Sequence, residues 1–207
     1  MRYIYKSDMH EMTLENTRFY QYYQGKGVLN KESFLDLQPL YTFKKIPENT
    51  YLLRAGEKSQ HIYFVEKGLL VSTTLNEKGS ENVIHFASED WFVAERNSLF
   101  DDQPSSVYIK TIEPSTIVYI DKEFPRKASE ISESFGCFND QMLQKNILVQ
   151  ERRIQSLLSM SAKERYLLFL KTYPNIPLRV PQWMIASYLG VTPESLSRIR
   201  KEIAYSE

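Results

Sequence analysis

Apolar and polar residues alternate in short runs from about Phe34 to Lys122, and after Asp121 the pattern changes to a helical period. The runs TFKKI, TYLLRAG, HIYFVEKG, LLVSTTL, ENVIHFA, SVYIKTIE and STIVYID are rich in β-branched and aromatic residues. Several alternate as a half-buried strand requires. Turn residues separate them at Pro47-Glu48-Asn49, Ala55-Gly56-Glu57, Lys67-Gly68, Glu77-Lys78-Gly79 and Glu113-Pro114. Strands recurring at intervals of about ten residues predict an antiparallel sandwich or barrel.

From about Ser129 to Ser159 the spacing predicts one long helix. Leu143, Ile147, Gln150, Ile154 and Leu157 fall alternately four and three apart, which is a heptad seam. Such a helix pairs with a copy of itself; the simpler alternative is packing on the β-domain. Gln150 is polar inside this seam, where it would set register or reach into a pocket of the β-domain. A second helix is predicted over Ala162–Tyr173, with Ser161 and Glu164 forming a capping box and Pro174 and Pro177 ending it.

Residues 181–204, PQWMIASYLGVTPESLSRIRKEIA, read as a helix-turn-helix. Met184, Ile185 and Leu189 face one side of the first helix, and Ala186 is small enough for close approach of the second. Gly190 suits the left-handed turn that ends a helix. Thr192 is a good N-cap, Pro193 suits the first helical position, and Glu194 favours the positive end of the helix dipole. Leu196, Ile199 and Ile203 face inward. Glu194, Arg198 and Lys201 then share the opposite face, a rigid charged surface of the size a major groove admits.

Charge supports this reading. The whole chain is neutral, with 26 basic and 26 acidic residues. The part from Gln150 onward holds nine basic residues against five acidic ones, a net +4 that the remainder balances. A basic tail behind a mildly acidic front is what phosphate contact at one end requires. No apolar run approaches the ~20 residues of a membrane span, and the N-terminus lacks a signal-peptide core. A cytoplasmic location is expected. Cys137 is the only cysteine, read as a buried small hydrophobe, so no thiolate cluster or disulfide is expected. His10, His61 and His85 are scattered, with no His-x-His pair, nucleophile elbow or phosphate loop. Neither a metal, a cofactor nor an enzyme is expected.

A β-roll, a long dimer helix and a terminal helix-turn-helix in this order resemble the Crp/Fnr regulators, the cyclic-AMP receptor protein superfamily. The resemblance is carried by YLLRAGEKSQHIYFVEKGLL and by SAKERYLLFL followed by RVPQWMIASYLGVTPESLSRIRK. It implies an α+β fold in four parts: an unassigned N-terminal extension (1–30), a jelly-roll effector-sensing domain (31–128), a dimerisation helix (129–159) and a winged-helix/helix-turn-helix domain (160–207). It also implies a homodimer on a near-palindromic double-stranded operator, with RNA polymerase as a candidate further partner. Glu194 and Arg198 match the family's base-reading positions, with Ser195 and Lys201 beside them. Arg179, Gln182, Thr192 and Arg200 are expected at phosphates. Pro193 stands where the family often has Arg.

The family's cyclic-nucleotide cassette pairs Gly-Glu with a later Arg. Here Glu95 matches the carboxylate, Ala94 replaces the Gly, and Ser105 with Ser106 stands where the Arg would be. A buried cyclic phosphate needs a paired cation or several donors, so cyclic AMP is not the expected effector. The effector pocket is expected at Ala94, Glu95, Ser105, Ser106 and Gln150, its small molecule unknown. Two alternatives are a cyclic-nucleotide-dependent regulator with a divergent cassette and a ligand-binding module whose C-terminal helices bind a protein.

Overall fold

The computed structural model describes residues 13–205. Eight strands form two four-stranded antiparallel sheets packed as a jelly-roll-like sandwich. One sheet runs β1 (Tyr41–Ile46), β8 (Ser115–Asp121), β3 (His61–Lys67), β6 (Phe92–Val93). The other runs β2 (Tyr51–Leu53), β7 (Tyr108–Thr111), β4 (Leu70–Leu75), β5 (Glu81–Ala87). Seven of the strands fall on the seven predicted runs; β6 is only two residues long and leaves no period to read. Leu53, Tyr63, Val65, Leu70, Ile109 and Ile117 meet between the sheets. Gly68, at φ 104°, turns β3 into β4 where a side chain would collide with Ser115.

Residues 13–30 pack against the β-roll, while residues 1–12, including His10, lie outside the described residues. Helix α1 (Arg18–Gln24) is fastened by Glu66 of β3, whose buried carboxylate accepts from the backbone N–H groups of Arg18 (2.6 Å) and Phe19 (2.9 Å). A negative group at this end complements the helix dipole. Phe19 and Tyr23 pack with Phe34, Phe64, Phe124 and Phe135 in a second core. Helix α2 (Lys31–Asp36) follows, and α3 (Arg96–Asp101) lies between β6 and β7.

The long helix begins later than its period suggested. Helix α4 (Phe124–Ile131) ends at Ser132, and α5 runs Glu133–Ser159. Ser132 is extended, accepts from Phe135 N–H and donates its hydroxyl to Val28 O (2.7 Å). Cys137, expected inside, is exposed on α5; Phe135 is the neighbour that turns inward.

Helices α6 (Ala162–Thr172), α7 (Gln182–Leu189) and α8 (Pro193–Ala204) complete the chain. The capping box at Ser161 and Glu164 is formed. Among the described residues no strand flanks these helices, so the expected wing has no counterpart there. Their core is shared with the β-roll. Leu69, Val71, Val83 and Phe86 on the outer face of the second sheet pack with Phe169, Tyr173, Ile185 and Tyr188.

Candidate functional site

The turn between α7 and α8 is built as its residues require. Gly190 sits at φ 67°, and its N–H reaches Ala186 O and Ser187 O. Thr192 caps α8 by accepting from Ser195 N–H at 3.2 Å, and Pro193 occupies the first turn. Ala186 is fully buried and Leu196 nearly so, while Val191, Ile199 and Ile203 close the interface between the helices. This leaves Glu194, Arg198 and Lys201 exposed on one face. The Glu194 carboxyl is held below its usual range by hydrogen bonds to its own backbone and to Thr192. It is therefore an acceptor at neutral pH. Gln182, Arg200 and Lys201 line a shallow groove of about 500 Å³ between the two helices, together with Ser197, which the sequence reading passed over.

Arg179 departs from its expected role at phosphates. Its guanidinium is only 20% exposed and is held by two carboxylates of the β-roll. Glu89 accepts at 3.0 and 3.1 Å and Glu113 at 2.7 and 3.3 Å. Burial raises the Glu89 carboxyl, but bonds from Arg179, its own backbone and Gly68 N–H outweigh this and lower it overall. Ser187 of α7 accepts from Val83 N–H at 2.9 Å, satisfying a donor on the edge strand β5. Arg153 lies 3.6 Å over the Tyr188 ring and donates to Tyr188 O at 2.6 Å. Arg165 donates to Leu189 O and Met160 O, and Lys163 pairs with Glu202. Four of the nine cations of this region thus hold the helices in place. Arg198, Arg200 and Lys201 stay exposed.

Between the β-roll and α5 lies an open cleft of about 1090 Å³. Ala94, Glu95 and Gln150 line it as expected. Ser105 and Ser106 do not. The Ser105 hydroxyl is buried and closes on its own turn, donating to Val107 O (2.8 Å) and accepting from Val107 N–H (3.1 Å). The Glu95 carboxylate caps α3 by accepting from Ser98 N–H at 2.6 Å. Arg96 also lines the cleft. Leu143, Ile147 and Ile154, three residues of the predicted seam, form its α5 wall, with Ile147 and Ile154 more than half exposed. Leu157 instead reaches the helix-turn-helix, 3.6 Å from where a side chain at Gly190 would begin.

Three further lining residues were not singled out for the cleft: Tyr22 of α1, His85 of β5 and Trp91. Burial and the nearby Arg153 charge push the His85 pKa down to about 4, so its imidazole is neutral at physiological pH. Among the described residues no group of three His, Cys, Asp or Glu side chains is placed to hold a metal ion. No described helix is long and apolar enough to cross a membrane.

Comparison with known proteins is consistent with these parts. Residues 43–130 match the family profile of the cyclic nucleotide-binding domain. The cAMP-activated global transcriptional regulator CRP of Pasteurella multocida is 22% identical over 167 residues, covering 76% of this chain and 80% of that protein. The structure of FixK2 from Bradyrhizobium japonicum superposes with a TM-score of 0.69 at 18% identity, over 81% of this chain and 86% of that one. The c-di-GMP responsive global regulator CLP of Xanthomonas campestris superposes with a TM-score of 0.65 at 17% identity, over 86% and 93%. The relatives are transcription regulators rather than enzymes. At these identities the structural likeness speaks for the fold.

Proposed function

We propose that this chain is a Crp/Fnr-type transcription regulator, a homodimeric, sequence-specific DNA-binding protein whose activity does not depend on cyclic AMP; its cyclic nucleotide-binding domain match and its regulator relatives support the reading. The observation that carries this reading is the exposed face of α8, where Glu194, Arg198 and Lys201 stand on a helix held rigidly by the Gly190 turn. Arg198 donates to a guanine edge, Glu194 selects by accepting from cytosine, and Ser195 and Lys201 touch backbone or neighbouring bases. Gln182, Thr192 and Arg200 face phosphates. Paired α5 helices hold two such faces about 34 Å apart, one turn of B-DNA. A cytoplasmic site of action and contact with RNA polymerase go with this function.

The case against cyclic AMP is one of charge. The family's phosphate-binding Arg is absent, and Ser105 spends its hydroxyl on Val107. An anion drawn from water lacks the donors it needs. Arg96, on the cleft wall, favours the second reading, in which a divergent cassette holds a cyclic nucleotide. Titration calorimetry with cyclic AMP separates the two: no heat of binding is expected, and micromolar affinity overturns the first reading. The DNA-binding function itself is tested by selecting sites from random duplexes at two salt concentrations. A recurrent near-palindrome is expected, bound more weakly at the higher salt. Failure to retain any duplex in dilute buffer refutes it.

A further inference from the structure

We propose that Trp91 is the positioning residue through which the effector cleft and the seat of the helix-turn-helix are coupled; this rests on the DNA-binding reading above. Trp91 ends the turn Ser88–Trp91 between β5 and β6. The turn is clamped to β3: Asp90 N–H donates to Val65 O and Val65 N–H donates to Trp91 O, each at 3.0 Å. Trp91 N–H donates to Ser88 O, and Asp90 takes a left-handed φ of 69°.

Successive side chains of this turn reach different parts of the molecule. Glu89 holds Arg179, just before α7, and accepts from Gly68 N–H at 2.8 Å. Asp90 holds Arg18 of α1 at 2.9 Å. Trp91 lines the cleft, and its ring lies 5.5 Å from the His85 ring and, tilted, 5.6 Å from that of Tyr173 at the end of α6. It packs against both the core between the sheets and the core shared with the C-terminal helices.

From Trp91 the contacts run in a closed circuit. Tyr173 meets Tyr188 of α7, their hydroxyls 3.4 Å apart. Tyr188 carries Arg153 on its ring and carbonyl, and Arg153 belongs to α5, which forms the opposite wall of the cleft. A molecule that widens or fills the cleft therefore meets the seat of the helix-turn-helix at Trp91, while Arg153 ties that seat back to α5. Close-packed interiors transmit strain, so a displaced Trp91 ring is felt at Tyr173 and Tyr188. By reciprocity, DNA that repositions α7 and α8 must alter the surroundings of Trp91.

The test uses the full chain and needs no identified effector. The protein has two tryptophans, so Trp183→Phe leaves Trp91 as the only tryptophan, whose emission is read with excitation at the red edge where tyrosine does not absorb. Saturation with a duplex selected from the random pool is expected to shift its emission and its quenching by acrylamide. Separately, Asn146→Cys in a Cys137→Ser background places a thiol on the cleft wall. Its alkylation by a pyrene maleimide fills the cleft and is expected to change the duplex Kd at least about fivefold. Adding Trp91→Leu should reduce that change to within about twofold; if thermal melting shows the Leu variant unfolded, Trp91→Phe takes its place with partial loss expected. Unchanged Trp91 emission while a labelled duplex is bound, no effect of the adduct, or an adduct effect that survives the Trp91 change would each overturn the coupling. Absence of any duplex binding instead refutes the DNA-binding reading, and the coupling falls with it.

Discussion

Arg179 and Arg198 carry the same charge and are nineteen positions apart by their numbers, yet they end in opposite surroundings. Arg198 stands exposed on the outer face of α8, whereas Arg179 is enclosed by Glu89 and Glu113. The first follows from helical spacing alone, since Leu196, Ile199 and Ile203 must turn inward. The second depends on two acidic residues far along the chain, and nothing local announces them. Arg198→Ala should cost about 1–3 kcal/mol at the selected site and relax base choice at one position. A binding assay over single-base variants of that site checks this, and equal binding to all of them would refute the groove assignment.

His85 gives a second prediction at this scale. Its folded pKa of about 4 lies below the ordinary histidine value of 6.5, so the unfolded chain binds the proton more readily. The stability it contributes is complete above about pH 6.5 and is lost as pH falls towards 4. Denaturant titrations across that window should show a falling midpoint, and His85→Gln should flatten the fall. The same slope in the variant would assign the effect elsewhere. His61, lowered chiefly by burial, adds in the same direction.

Among the elements, α5 is the one whose surface is least explained by contacts within the chain. Ile147, Ile154 and Leu157 are 52%, 58% and 42% exposed, and Leu158 is 83% exposed. Apolar area left in water at heptad spacing is what a partner helix covers, at roughly 25 cal/mol per Å² buried. Ile147→Asp combined with Ile154→Asp should convert a dimer to a monomer in sedimentation velocity and weaken duplex binding sharply. A variant that stays dimeric would remove the seam from the interface. At this scale local pattern was a good guide: the seven strands of three or more residues, the Ser161 capping box and the Gly190 turn all depend on neighbours within a few residues. The break at Ser132 was not legible, because the hydroxyl that fixes it bonds to Val28. The expectation for Ser105 failed for a related reason. Its place beside the cassette could be read, but the closure of its side chain on Val107 could not.

At the scale of the whole molecule, the helix-turn-helix is seated on the β-roll by a shared apolar core, the Ser187–Val83 bond and the Arg179 clasp. The clasp is about one quarter exposed, so its contribution lies between that of a surface pair and a buried one. Glu89→Gln with Glu113→Gln should loosen the seat by about 1–3 kcal/mol. Hydrogen exchange would then rise together in β5 and α7 while the sandwich core stays protected. Exchange unchanged in both would show that the apolar contacts alone hold the domain.

Local spacing and turn chemistry were enough to determine an antiparallel β-roll, a long seam-bearing helix and two short helices meeting at a glycine, since each rests on interactions between near neighbours in sequence. The residues that join these parts were decided only in three dimensions. Glu66 holds α1, Glu89 and Glu113 hold Arg179, and Trp91 stands between the cleft and Tyr173. Such contacts are made by side chains dozens of positions apart, and their partners are chosen by the packing of whole faces, which no local period records.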